Sequence, residues 1–149
     1  MEKKLSVALS KCMALCSRAE KCSFDILKKL SDWEISADDA QEIIAELKAQ
    51  RFIDDKRFAT IYARDKFNFS HWGKVKIAFQ LRHKNIPDSI IFDAIDGIDD
   101  ETYFDKLKTM LKQKASKIKA QTDYEKKAKL IRFAQSRGYE YEIISKALS

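Results

Sequence analysis

Apolar side chains recur three and four residues apart from one end of this chain to the other. That spacing lines one face of an α-helix and fits no strand. Leu5, Leu9, Cys12 and Cys16 form one such stripe, widened by Ala8, Met13 and Leu15. Phe24, Ile26, Leu27 and Leu30 predict a second helix, capped by Ser23 and ending near Trp33. A third follows Ser36, whose hydroxyl can accept from an unpaired backbone N–H, and buries Ala40, Ile43, Ile44 and Leu47. Asp54-Asp55 supplies a cap and an acidic first turn for a helix over Phe58, Ile61 and Tyr62, with Phe67 and Phe69 in its tail. Val75, Ile77, Ala78, Phe79 and Leu81 mark the next. Pro87 then introduces a short helix through Ile90, Ile91, Ala94 and Ile95, which Gly97 stops. Asp99-Asp100 opens a long helix faced by Phe104, Leu107, Leu111, Ala115 and Ile118. Thr122 to Glu125 reads as a capping box for a helix through Gln135, closed by Gly138; Ile143, Ile144, Ala147 and Leu148 complete the pattern.

Three glycines and one proline in 149 residues are too few for the tight turns a sheet protein needs. The expected fold class is therefore all-α. The helices fall into three groups of three, at residues 1–53, 54–98 and 99–149. Shifting by 53 residues lays Ile90-Ile91 on Ile143-Ile144 and Ala94-Ile95 on Ala147-Leu148. Asn85 then lies over Gly138, and those two residue types best tolerate the left-handed backbone that ends a helix. A lone three-helix unit of about 50 residues barely buries a core, whereas stacked units share one.

Hydrophobic residues make up 45% of the chain, as in a folded protein. No apolar run approaches the roughly 18 to 20 residues that cross a bilayer, and Met1 to Leu5 leads into no secretory pattern, so a cytoplasmic, membrane-free protein is expected. Cys12, Cys16 and Cys22 are an odd set that makes no disulfide framework and suits a reducing compartment. With a histidine they could nominally hold zinc. Cys12 and Cys16, however, continue a core stripe, and the paired spacing of zinc motifs is absent, so no metal or cofactor is expected. With only His71 and His83, and no phosphate-cradling glycine loop or nucleophile elbow, the chain does not read as an enzyme. The acidic pairs Asp38-Asp39, Asp54-Asp55 and Asp99-Asp100 stand where helices begin and read as caps.

The net charge of +6 is uneven. Residues 1–53 carry nine basic and nine acidic side chains, residues 54–99 eight and seven, and residues 100–149 twelve and seven. Such an excess attracts nucleic acid or an acidic protein surface, or simply solvates a helical exterior. Lys74, Lys76, Arg82 and Lys84 share one helix near His71 and Trp72, with Arg57, Arg64 and Lys66 just upstream. Six lysines lie between Lys106 and Lys119, and Lys126, Lys127, Lys129, Arg132 and Arg137 follow. Helices of this kind contact phosphates or pair with carboxylates on a protein.

Phe52-Ile53-Asp54-Asp55-Lys56-Arg57-Phe58-Ala59, followed by Tyr62 and Arg64, resembles the most characteristic stretch of the RecX regulatory proteins. Gly73-Lys74 with Leu81-Arg82-His83-Lys84-Asn85-Ile86 is similar to that family's second motif, with Asn85 in place of its usual glycine. Ser17 to Ser23 with Lys29-Leu30 resembles its opening signature, and Phe133, Arg137-Gly138-Tyr139 and Ile143 its closing one; Asp32 to Ala37 diverges. The resemblance implies three tandem three-helix repeats in an elongated, curved right-handed-helix array. It further implies a monomer that binds the RecA recombinase filament on single-stranded DNA and inhibits its ATPase, strand-exchange and co-protease activities, in recombination, DNA repair and the SOS response. Direct binding to single-stranded or duplex DNA accompanies that role in some members.

Clustering of charge then nominates Arg57, Arg64, Lys74, Lys76, Arg82 and Lys84 in the middle unit, with Lys126, Lys127, Arg132 and Arg137 in the last, as the partner- or DNA-binding surface. Arg57, beside Asp54 and Asp55, reads equally as a lock between units, and Phe58 and Tyr62 read as core. A RecA-independent DNA-binding helical module is the alternative, and a helical adaptor for another protein the third reading.

Overall fold

A computed structural model describes residues 2–149. Among them the chain forms nine helices and no strand: α1 (Lys3–Arg18), α2 (Ser23–Asp32), α3 (Ala37–Ala49), α4 (Asp55–Asn68), α5 (Lys74–His83), α6 (Asp88–Asp96), α7 (Asp100–Ala115), α8 (Asp123–Ser136) and α9 (Tyr141–Ala147). The fold is all-α, and the main helix-to-helix packing falls within successive triads, α1–α3, α4–α6 and α7–α9.

Among the described residues, four helices are capped by the side chain of their own N-cap residue. Ser36, Asp54, Asp99 and Thr122 each accept from the backbone N–H three residues on, at 3.2, 3.0, 2.9 and 3.1 Å. The return bond of the capping box is displaced. Glu125 Oε2 accepts from the N–H of Gln121 at 3.3 Å, one residue ahead of the cap.

Ser23 does not cap α2. It is the first helical residue, and the cap position falls on Cys22, which offers no side-chain acceptor there. The acceptor comes from another triad. Asp55 Oδ1 takes the N–H of Ser23 at 2.9 Å, and Asp55 Oδ2 takes its hydroxyl at 3.0 Å. The Asp54-Asp55 pair thus splits its work: Asp54 caps its own helix and Asp55 caps α2, 32 residues upstream.

The repeat is written most plainly in the backbone at the end of each triad's second helix. Glu34, Asn85 and Gly138 all take positive φ, at 59°, 58° and 94°. In each case the next residue donates back to a carbonyl five residues earlier: Ile35 to Leu30 at 3.0 Å, Ile86 to Leu81 at 3.2 Å and Tyr139 to Ala134 at 3.1 Å. This is the Schellman closure, and it drives the following side chain inward. Ile35, Ile86 and Tyr139 are all buried.

Two apolar cores result. One is confined to the first triad and holds Leu5, Cys12, Ile26, Leu30, Ile43 and Leu47. The other runs continuously through the second and third triads, from Phe58 and Ile77 to Leu107 and Ile144, and it draws in Cys22 from the α1–α2 turn. Backbone joins these last two triads directly. Gly73 N–H donates to Arg137 O at 2.7 Å, and Val75 N–H donates to Gly138 O at 2.9 Å. The approach is so close that a Cβ on either glycine would lie 2.6 Å from a backbone nitrogen of the other segment.

Several core positions differ from the sequence pattern. In α7 the buried residue is Tyr103 rather than Phe104, a rotation of one position. Its hydroxyl explains how a tyrosine is accommodated there. It accepts from Lys74 N–H at 2.9 Å and donates to Glu140, and burial together with Glu140 pushes its ionisation upward. Phe58 is buried and Tyr62 is half-buried against the same core. Phe69 stands out in solvent instead of continuing the α4 face.

Candidate partner-binding surface

Three of the nominated basic residues are engaged inside the chain. Arg57 Nε donates to Glu20 Oε1 at 2.7 Å, and its Nη2 donates to the carbonyls of Arg51 and Phe52 at 3.1 and 3.4 Å. It therefore ties α4 to the α1–α2 turn and to the end of α3. Lys84 Nζ donates to Asp25 Oδ1 at 2.8 Å, tying α5 to α2. Burial works to raise the Asp25 carboxyl, but Lys84 and Cys22 donate to it and hold it below the ordinary carboxylate value. Lys84, although burial opposes its charge, is raised above the ordinary amine value by Asp25. Lys74 lies 4.8 Å over the Tyr103 ring and 3.4 Å from Asp100, with its side chain only 18% exposed.

The other nominees stay at the surface, several of them held over aromatic rings. Lys76 sits 4.7 Å over Trp72, and Lys66 covers the same indole at 4.9 Å. Arg82 reaches Asp88 at 3.1 Å and lies 6.0 Å from the Phe92 ring. Arg137 stacks on Phe133 at 5.3 Å, with Lys114 on the same ring at 5.0 Å. Arg64 is exposed and pairs with its neighbour Asp65 at 3.4 Å. Lys126, Lys127 and Arg132 project from exposed positions of α8. A cation over a ring is worth about 0.5–1 kcal/mol at an exposed site, enough to narrow where the charge points.

Alongside these charges lies an apolar face that charge counting alone misses. Ile77, Ala78 and Leu81 turn one side of α5 into the core. Val75 and Phe79, on the opposite side, remain 53% and 55% exposed, and Phe92 of α6 is 49% exposed. His83 packs edge-on against Phe79 at 4.5 Å, and Arg82 covers Phe92. Exposed aromatics flanked by arginine are the composition of protein-interface anchors. The signal was present in the sequence: a ten-residue helix carrying large apolar groups on two faces has one face more than its own core uses.

The fold and this surface define a helical-repeat protein that presents basic and aromatic side chains together on its outer faces. Residues 54–95 match the family model described as RecX, second three-helix domain, and residues 101–148 that of RecX, third three-helix domain. The chain is similar to the regulatory protein RecX of Clostridium acetobutylicum, 30% identical over 145 residues, covering 95% of this chain and 67% of that one. It is also similar to the regulatory protein RecX of Acinetobacter baylyi, 29% identical, covering 91% and 82%. The crystal structure of RecX from Lactobacillus salivarius superposes with a TM-score of 0.87 at 26% identity, covering 97% of this chain and 94% of that one. This chain belongs to the RecX family of regulatory proteins.

Proposed function

We propose that this chain binds the RecA filament on single-stranded DNA and holds back its ATPase, strand-exchange and co-protease activities. It acts without chemistry of its own, as a cytoplasmic monomer of three tandem units at residues 1–53, 54–98 and 99–149. The observation that carries the reading is the outer face of α5 and α6. Val75, Phe79 and Phe92 are large, exposed and bordered by Arg82 and His83, in a chain that belongs to a family of regulators. Such a face favours a protein partner over naked nucleic acid, because Val75 is aliphatic and the rings of Phe79 and Phe92 are already met by His83 and Arg82, which leaves little free ring for a base to stack on. Lys76, Arg82 and Arg64 around it, and Lys126, Lys127, Arg132 and Arg137 on the last triad, add charge steering toward an acidic filament. Arg57, Lys74 and Lys84 support the arrangement from within, through Glu20, Asp100 and Asp25. Several weak contacts on successive protomers sum to avidity.

The test is ATP hydrolysis by the cognate RecA on single-stranded DNA, titrated with this protein at fixed salt. Inhibition below one molecule per recombinase protomer is expected. Phe79→Ala combined with Arg82→Ala should raise the concentration for half-inhibition by about tenfold or more while leaving thermal stability within about 1 kcal/mol. Full inhibition by the double variant would remove α5 from the contact. No inhibition by folded wild-type protein would defeat the filament reading and leave direct DNA binding, measured without recombinase, as the alternative.

A further inference from the structure

A second surface lies beside the start of α5 rather than on its outer face. An open groove of about 790 Å³ runs between α7 and α8. Lys106, Lys114, Lys117 and Arg137 line it, against a single carboxylate, Asp105. Its apolar contribution comes from Met110 and Phe133, both half-buried. The groove thus joins four cations to an apolar strip.

Two classes of anionic chain suit four cations, and the lining separates them. Grooves that take single-stranded nucleic acid offer free aromatic faces on which bases stack. Here the Phe133 ring is already covered by Lys114 and Arg137, at 5.0 and 5.3 Å. Asp105 is exposed in the groove and can accept from a backbone N–H, a donor that recurs along a peptide and that a phosphodiester backbone lacks. Met110, flexible and polarizable, adapts to an apolar side chain. We infer that the α7–α8 groove receives an acidic peptide segment of a partner protein, its carboxylates on Lys114, Lys117 and Arg137 and an apolar side chain against Met110. This deepens the regulatory reading above by naming what the protein partner presents to the third triad.

The probe is a fluorescein-labelled peptide of alternating Glu and Leu, titrated with the full chain and followed by anisotropy, beside a labelled oligothymidylate of comparable length. Saturable peptide binding is expected. Lys114→Glu with Lys117→Glu should weaken it by about tenfold or more, whereas Lys28→Glu with Lys29→Glu, at exposed positions of α2 outside the groove, should shift it by less than about threefold. Both pairs are surface changes, and matched melting curves establish that they fold. Equal weakening by the two pairs would overturn the assignment. So would a Glu-Ser peptide that binds as tightly as Glu-Leu, or a groove reversal that releases oligothymidylate and leaves the peptide bound. Groove-dependent peptide binding with no inhibition of RecA would overturn the filament reading and sustain the groove. Filament inhibition with no saturable peptide binding would overturn the groove alone.

Discussion

Replacing Gly138 by alanine should be far more damaging than the same left-handed backbone predicts elsewhere in this chain. Two costs combine at Gly138. Its φ of 94° places it where an L side chain is strained, about 1–2 kcal/mol for alanine. Its new Cβ would also lie 2.6 Å from Lys76 N, so the α8–α9 turn must back away from the start of α5. That movement parts the bonds from Gly73 N–H to Arg137 O and from Val75 N–H to Gly138 O, worth about 1 kcal/mol each. The sum is about 3–4 kcal/mol. For a chain of this size each kcal/mol lowers the melting temperature by about 2–4 °C, so Gly138→Ala should melt about 10 °C earlier. The internal control is Asn85→Ala, at the equivalent turn with φ 58° but with no such backbone approach, which should cost about 1 kcal/mol. Thermal and urea unfolding followed by far-ultraviolet circular dichroism measure both. If the two variants lose equal stability, the close approach contributes nothing and the reasoning fails.

Asp55→Ala should cost about 2 kcal/mol by uncapping α2, and Asp54→Ala about 1 kcal/mol by uncapping α4; urea midpoints giving the opposite order would count against the cross-triad cap. Lys84→Met should remove about 1 kcal/mol at neutral pH. Because folded Asp25 is held below its unfolded value of about 3.9, this difference is fully present above that pH and shrinks as pH falls through the lower folded value. Because folded Lys84 is held above its unfolded value of about 10.4, the difference also shrinks as pH rises through the higher one. A difference from wild type that persists unchanged in strong acid would refute the pairing. Burial raises Cys12 and Cys22 to about 11 and also raises Cys16, which is only half-buried. A disulfide reagent at neutral pH should therefore label at most Cys16 until denaturant is added, and fast labelling of Cys12 or Cys22 in the native state would contradict their burial.

Much of the architecture could be read from residue types because the chain signals its helices redundantly. The α3 face, Ala40, Ile43, Ile44 and Leu47, is the buried set read from spacing. What escaped were choices made by neighbours in space. Glu34 carries no preference for left-handed backbone, so the first triad's turn was invisible beside Asn85 and Gly138. Its geometry is set by burial of Ile35 beyond it. Tyr103 displaced Phe104 because Lys74 and Glu140 satisfy its hydroxyl, and neither lies near it in sequence. The candidate surface was legible in charge and not in shape. Spacing cannot distinguish Lys76, poised over an indole, from Lys84, paired with a carboxylate.

Asp55 also sets a timetable for synthesis. A chain leaving the ribosome presents Ser23 well before Asp55, which follows 32 residues later. Until then the first turn of α2 lacks the acceptor that fixes its start, and Arg57 has not yet reached Glu20. The first triad can collapse around its apolar residues during that interval, but its opening turn settles only when the second triad begins to emerge. A fragment ending at residue 53 is thus a helix set awaiting its fastener, and each triad finished in order leaves the nascent chain with fewer loose ends to be caught by proteases.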